Sequence, residues 1–472
     1  MSVEARRAQR RAGNELEFAP VAFVALATAF GALYAFMAYK LSPWALPELM
    51  ALAVTILFSY RRPEIGIAAT LVVIPAGTLG LDSHVAAYVA TGLTAYVTVI
   101  AYFRRDPDFR RFRAMALAML LFIGATVVSL TQSPDLANAG RPLRALILGA
   151  VLFAATLWAV RDQSSLTWVL VGLSVGGLLV GLHAAGEYIS GGPPTSGFIT
   201  TSGELVGRVT AGFGQPNQLG GFLEIAVPIA VAGVVLNRRL RPLFIAAMVL
   251  AAFGAYLSFS RGALIGIALV PFGFLRGWRL WLGGPFLALV LALAAPGLVK
   301  ERFATLTTSG PDVATRADIW RAAANIWEQH PLLGAGLGEF PRAYSRIDLP
   351  GKQYLPNTVL QPPPHAHDLA LQLLAEQGIL GLMAFIGILV PAFRSTIRLR
   401  AGPNRTTRLL GSALLVAILA FLAHNLFDVT LEEPHTGPYV MVLLGLTVAA
   451  AGMQWKADAG GLAAPPRPRN PE

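Results

Sequence analysis

The sequence predicts an all-α polytopic membrane protein with about 14 transmembrane helices (12–14) and a helical region on the outer face. Three observations carry that reading. Apolar residue types make up 55% of the 472 residues and charged ones only 13%, with a mean hydropathy of +0.59; soluble domains carry about 25% charged residues. The apolar residues gather into runs close to the ~20 residues that cross a hydrocarbon core. The cations fall unevenly between those runs, so the formal charge of +11 is mainly a topology signal and not a nucleic-acid surface. The lack of cysteine excludes disulfides and thiolate metal sites.

In chain order, residues 1–18 form a basic cytoplasmic tail carrying Arg6, Arg7, Arg10 and Arg11. The apolar run at about Ala19–Tyr39 exceeds a signal-peptide core and reads as a retained first span. Further runs lie at about Trp44–Tyr60, Ile65–Leu79, Val85–Phe103, Arg113–Leu130, Leu143–Val160, Leu166–Tyr188, Leu219–Leu236, Pro242–Ser258, Gly262–Leu275 and Trp281–Leu298. They give a membrane region over 19–299 of about 11 spans, interrupted by an outside loop at 190–218. The count falls to 12 in the whole chain if short runs such as Ile65–Leu79 or Gly262–Leu275 re-enter or merge. Residues 300–368 are an outside polar loop, and 369–455 hold three last spans at about Leu369–Phe393, Leu409–Phe427 and Gly437–Gln454. The Pro-rich segment 456–472 is a disordered cytoplasmic tail.

In this arrangement 25 of the 37 Lys and Arg residues lie on one side. Short cytoplasmic loops carry the positive charge, which puts both termini inside and 300–368 outside. The outside cations break the rule. Lys40, Lys300, Arg302 and Lys352 read as solvated loop residues. Arg261 does not, because Ser258-Phe-Ser-Arg261-Gly leaves almost no loop between two apolar runs; a charge retained at that depth is a site candidate.

The first outside loop supplies Arg208, Gln215 and Asn217 in Gly207-Arg-Val-Thr-Ala-Gly-Phe-Gly-Gln215-Pro-Asn217. Pro216-Asn217 caps the next helix, whose N-terminus suits an anion. His183, Glu187 and Glu224 read as hydrogen-bonded packing groups. In the second loop Ile319, Ala322, Ala323 and Ile326 recur at helical spacing, which predicts an amphipathic helix across the outer surface. Gly334-Ala-Gly-Leu-Gly338 ends it; lacking a preceding strand and a Lys-Ser/Thr, it is not a nucleotide loop. The chain is organised around Gln361-Pro-Pro-Pro-His365-Ala-His367-Asp368, where three prolines hold an extended approach to an apolar helix. Gly378 and Gly381 in that helix fit close contact with a neighbouring helix.

These motifs resemble those of the O-antigen ligase and polymerase superfamily. Arg208 ahead of Phe213-Gly-Gln-Pro-Asn217, Ser260-Arg261-Gly262, Arg316-x-x-x-Trp320 with Pro331-x-x-Gly334-x-Gly336-x-Gly338-x-Phe340, and His367-Asp368-x-x-Leu371-Gln372-x-x-x-Glu376-x-Gly378 come in the family's order, over roughly Leu166 to Gln454. The resemblance implies a metal-independent, inverting glycosyltransferase of GT-C-like build in a bacterial inner membrane, with no cofactor. It would move a glycan from undecaprenyl diphosphate to a hydroxyl of a glycolipid, glycan or protein acceptor. Where family members usually have His-Asn this chain has His367-Asp368, a departure that bears on how the histidine is oriented and how basic it is.

The chemistry of such a donor matches the residues. Fixed guanidinium groups stabilise charge developing on a diphosphate without a metal; Arg208 and Arg261 are assigned that role, with Arg316 as a third. His367 is the base that takes the acceptor proton, and Asn217, Gln215, His365 and Asp368 are assigned to substrate binding. Three alternatives stand beside this one. A His-x-His-Asp zinc site lacks a further outside His cluster, and a glycosidase carboxylate pair lacks outside candidates. A lipid-linked oligosaccharide flippase would need no long outside loop ending in histidine. Ligase, polymerase and protein O-oligosaccharyltransferase differ only in acceptor.

Overall fold

The computed structural model describes residues 45–80, 83–105, 109–191, 196–200, 203–275, 296–304, 311–347, 365–453 and 455. The span expected at Ala19–Tyr39, most of that at Trp281–Leu298, the Pro362–Pro364 brace and both tails lie outside these residues. The chain divides into two compact units, Met1–Arg61 and Arg62–Glu472. The first contributes α1 (Ala45–Arg61), an apolar helix ending on a basic residue.

The second unit opens with α2 (Pro63–Val73), started by a proline whose missing N–H costs nothing at that position and continued as a 3-10 turn to Leu79. Next come α3 (Ser83–Arg105), α4 (Phe109–Ser129), α5 (Leu136–Ala159) and α6 (Gln163–Ser190). Asp135 caps α5, and Asp162 with Ser165 forms a capping box on α6. An antiparallel hairpin of β1 (Ser196–Ile199) and β2 (Leu205–Arg208) follows, pairing Ser196 with Arg208. It is a small exception to an all-helical expectation. The remaining helices are α7 (Pro216–Leu236), α8 (Arg241–Leu257), α9 (Arg261–Phe272), α10 (Gly297–Ala304), α11 (Pro311–Gln329), α12 (Phe340–Arg346), α13 (Leu369–Arg400), α14 (Arg405–His424) and α15 (Thr436–Ala451).

Among the described residues, seven helices are long and apolar enough to cross a membrane, namely α3 to α7, α13 and α14. Five apolar helices are shorter, at 10–17 residues. At 1.5 Å per residue such helices reach about 15–26 Å, less than a ~30 Å hydrocarbon core. The fourteen full spans expected from composition are therefore not established by these helices. Burial ranks their positions. The apolar window of α7 is 83% buried and that of α4 only 33%, so α7 is central, packed by α6, α8, α9 and α14, while α4 sits on the rim against α13.

The helix expected at Leu369–Phe393 runs on to Arg400 and is broken at Gly378, which takes φ 67°, ψ −166°. Its first two turns bridge the main core, through Leu369 and Leu373, and a second layer with α11 and α12. There Ile319, Ala322, Ala323 and Ile326 are all buried, as their spacing predicted, against Phe340, Ile347, Ala366 and Ala375. The helix thus packs on the start of α13 and does not merely lie across the surface. Gly378 meets the turn at Leu332 instead of a neighbouring helix: a Cβ there would lie 2.3 Å from the Leu332 carbonyl carbon. A Cβ on Gly381 would meet the side chain of Gln377 in its own helix.

Candidate active site

The start of α7, the turn into α9, the turn after α14 and the helices α10 and α11 converge on one cleft. The cleft is lined by Asn217, Ser260, Arg261, Gly262, Arg302, Arg316, His424, Phe427 and Asp428. Arg261 opens α9 two residues after Phe259, a non-glycine residue held at φ 45°. It is only 6% exposed. Its Nε donates to the Arg302 carbonyl at 3.0 Å, and Arg302 Nε donates to the Phe259 carbonyl at 3.1 Å. The Arg302 guanidinium also lies 4.9 Å over the Phe198 ring of β1. Arg302 is therefore a buried partner of Arg261 and not the solvated loop residue expected; the short helix α10 carries it inward. Arg316 reaches the same cleft from α11.

The two histidines meet at one carboxylate. His365 Nε2 stands 3.4 Å and His367 Nδ1 3.7 Å from Asp428 Oδ1, with the rings edge to face 4.3 Å apart. His367 takes φ 53°, a left-handed conformation unusual for a residue with a Cβ. That conformation is held on both sides. The His367 N–H donates to His365 Nδ1 at 3.3 Å, the Ala366 N–H to Gln372 Oε1 at 2.9 Å, and the Leu369 N–H to the Asn425 carbonyl at 2.9 Å. Burial pushes His365 down to about 4 despite Asp428, helped by the charges of His367, Arg316 and Arg141. Burial alone would raise Asp428, but the contact with His367 and the charges of His365, His367 and His424 hold it below the usual carboxylate range.

The other expected site residues are placed as follows. Arg208 is buried, its Nε donating to the Ser258 carbonyl at 2.7 Å and its Nη2 to Asn217 Oδ1 at 2.8 Å. It braces the cleft from behind, whereas Asn217 lines it. Gln215 is exposed and occupies the N-cap of α7 without a side-chain capping bond, so Pro216-Asn217 is not the cap. Asp368 is the N-cap of α13, accepting from the Leu371 N–H at 2.9 Å, and burial raises its carboxyl. Glu187 accepts from the Thr210 and Ala211 N–H groups and holds the loop before α7, as a packing group does.

Sequence reasoning missed Asp428, and with it the loop after α14. That loop packs Asp428, Glu432, Glu433 and His435 into eight residues between two apolar helices, a density of titratable groups that is itself a signal. This loop therefore supplies carboxylates beside the histidines that sequence reasoning did not count. Glu433 is taken by Arg141 at 2.8 Å and Gln218 at 2.8 Å, and Glu432 by Gln372 at 3.3 Å. Burial and the neighbouring Glu376 push Glu432 well above the usual range. Asp428 is the carboxylate among them that faces the cleft. His365, His367 and Asp428 also present three possible metal ligands within 4.8 Å of one another, with Asp428 in the place that Asp368 was expected to fill.

The Pro331–Gly338 segment explains the glycine pattern. It wraps the broken end of α13, where the Ala335 N–H donates to the Ala375 carbonyl at 2.8 Å and the Gly336 N–H to that of Glu376 at 3.1 Å. The Glu376 carboxylate accepts from the Gly338 N–H at 2.7 Å and the Phe340 N–H at 2.9 Å. A Cβ on Gly334, which sits at φ 69°, would come within 2.2 Å of the Glu376 carbonyl carbon.

A multi-pass membrane protein whose outer helical layer covers a cationic, histidine-bearing cleft is the class that this fold and site define. Residues 246–386 match the model of the O-antigen ligase family. Over that segment the chain is similar to the O-antigen ligase family, a likeness that supports an O-antigen ligase or polymerase type of membrane glycosyltransferase. The match takes in Arg261, Arg302, Arg316, His365, His367 and Glu376 and stops short of Asp428. No curated protein matches the chain.

Proposed function

We propose that the protein transfers a glycan from an undecaprenyl-diphosphate carrier to an acceptor hydroxyl, with inversion and without a metal. The observation that carries this reading is the convergence of Arg261, Arg302 and Arg316 with the His365–His367–Asp428 cluster at one cleft. The arginines meet the diphosphate, and Arg208 fixes Asn217 beside them. The acceptor oxygen attacks the anomeric carbon as its proton passes to His367 Nε2. The bond from that carbon to the diphosphate oxygen breaks, and the electron pair leaves with the carrier, whose charge the arginines stabilise. Asp428 Oδ1 lies 3.7 Å from Nδ1, within ion-pair reach but beyond hydrogen-bond distance, and its charge favours a proton on Nδ1, which leaves Nε2 as the basic nitrogen. His365 stays neutral and buried, supporting the loop through its bond to the His367 N–H.

Both termini are cytoplasmic in this proposal, which puts the cleft at the outer face of a bacterial inner membrane, where a lipid-linked donor and an acceptor meet. Incubating purified protein with a lipid-linked glycan and glycolipid, glycan or peptide acceptors in turn, then weighing the products, tests it. Transfer to one acceptor class is expected; intact donor with every class refutes the reading.

A further inference from the structure

The reaction above leaves one buried pair at the cleft unused. Glu224 lies within α7 and His424 ends α14, and they are 0% and 1% exposed. Imidazole Nδ1 stands 3.1 Å from Oε2 of the carboxylate, while Oε1 has no hydrogen-bond partner among the described residues. Three glycines make the space. A Cβ would stand 3.2 Å from His424 Nε2 if built on Gly221, 2.8 Å from Nδ1 on Gly262 and 2.6 Å from Glu224 Oε2 on Gly266. Two helices, α7 and α9, thus give up side-chain volume to admit an ionisable pair where apolar packing would cost less. His424 is among the residues that line the cleft, beside Arg261, Arg302, Arg316 and Asp428. With Nδ1 engaged by Glu224, Nε2 is the nitrogen left for a ligand.

We propose that His424 is a further diphosphate-binding residue and that Glu224 is the positioning residue through which it acts. The inference rests on the donor reading above. Glu224 fixes the ring, keeps the proton on Nδ1 and balances the charge when Nε2 takes a second proton from solvent beside the anionic donor. The groups facing the ring are Glu224 from α7, Asp428 from the loop after α14, Arg261 from α9, Arg302 from α10 and Arg316 from α11. Two carboxylates stand against three guanidinium groups, and an arriving diphosphate shifts that balance toward the imidazolium.

The test uses the full chain in detergent with undecaprenyl diphosphate as the probe, measuring affinity across pH for the wild type, His424→Gln, Glu224→Gln and the double variant. Each single variant is expected to bind about tenfold more weakly near neutral pH, the scale of one charge-assisted hydrogen bond. The double variant loses no more than either, and His424→Gln lacks a pH-dependent component that the wild type has. A purely packing role would move the unfolding midpoint and leave these differences in affinity absent. Wild-type affinity in the double variant, which replaces both charges with neutral amides, overturns the inference even if a single variant folds poorly. So does an equal cost of Glu224→Gln with and without His424. Absence of binding by the wild type overturns the donor reading and this inference together.

Discussion

Replacing Glu376 with alanine should release the outer layer from α13. The carboxylate is 1% exposed and accepts the Gly338 and Phe340 N–H groups at 2.7 and 2.9 Å. Alanine leaves both donors buried without a partner, at about 1–3 kcal/mol each, so the loss is about 2–6 kcal/mol. That is a large share of a total stability of about 5–15 kcal/mol. Glu376→Gln keeps one acceptor oxygen and should lose about half as much. The backbone bonds from Ala335 and Gly336 survive both changes, so the defect should be local: faster protease cleavage within 331–347 together with a lower midpoint in SDS titration of the purified protein. An alanine variant within about 0.5 kcal/mol of wild type, with unchanged cleavage, would show that the clamp does not hold the layer.

His365 is held down to about 4 by burial, and His435 is likewise lowered to about 4 by burial. Both are neutral when folded, and the unfolded chain takes up their protons first as pH falls. Stability present above pH ~6.5 should therefore decline toward pH ~4, by up to about 3 kcal/mol for each histidine, and His365→Gln should remove its share of the slope in unfolding midpoints. Asp428→Asn should fold yet lower turnover by about 10²-fold or more, since the amide no longer fixes the His367 tautomer; unchanged turnover would leave Asp428 a packing group. Chelation with EDTA should leave transfer intact, and loss that zinc restores would make His365, His367 and Asp428 a metal site instead. Leu332 and Ala401 are exposed and suit a test of sidedness. A cysteine replacing Leu332 should be labelled from outside and one replacing Ala401 should not; the reverse would invert the topology.

What the sequence made legible was local. Ile319, Ala322, Ala323 and Ile326 declare a buried helical face through period alone, and Arg261 stands out because an arginine with no loop around it needs a reason. Asp428 was hidden because it reaches His367 across two intervening helices, and nothing near His367 marks the contact. Arg302 failed differently: a charged eight-residue helix has the composition of a solvated loop, whereas the folded chain brings Phe259, Phe198 and Arg261 against it. The break at Gly378 was masked by continuous apolar residues on both sides, which keep the hydropathy of one span while the backbone makes two helices. The hairpin, four residues a strand, is shorter than any periodicity can announce.

The central claim is that His367, turned by Asp428 and held in a left-handed backbone, takes the acceptor proton. Single-turnover transfer by His367→Ala, at matched membrane abundance with donor and acceptor both saturating, tests it most directly. The account predicts a variant that inserts and binds donor like the wild type but transfers about 10²–10⁴-fold more slowly, with His365→Ala losing much less. Near-native transfer by His367→Ala would contradict it and place the base elsewhere.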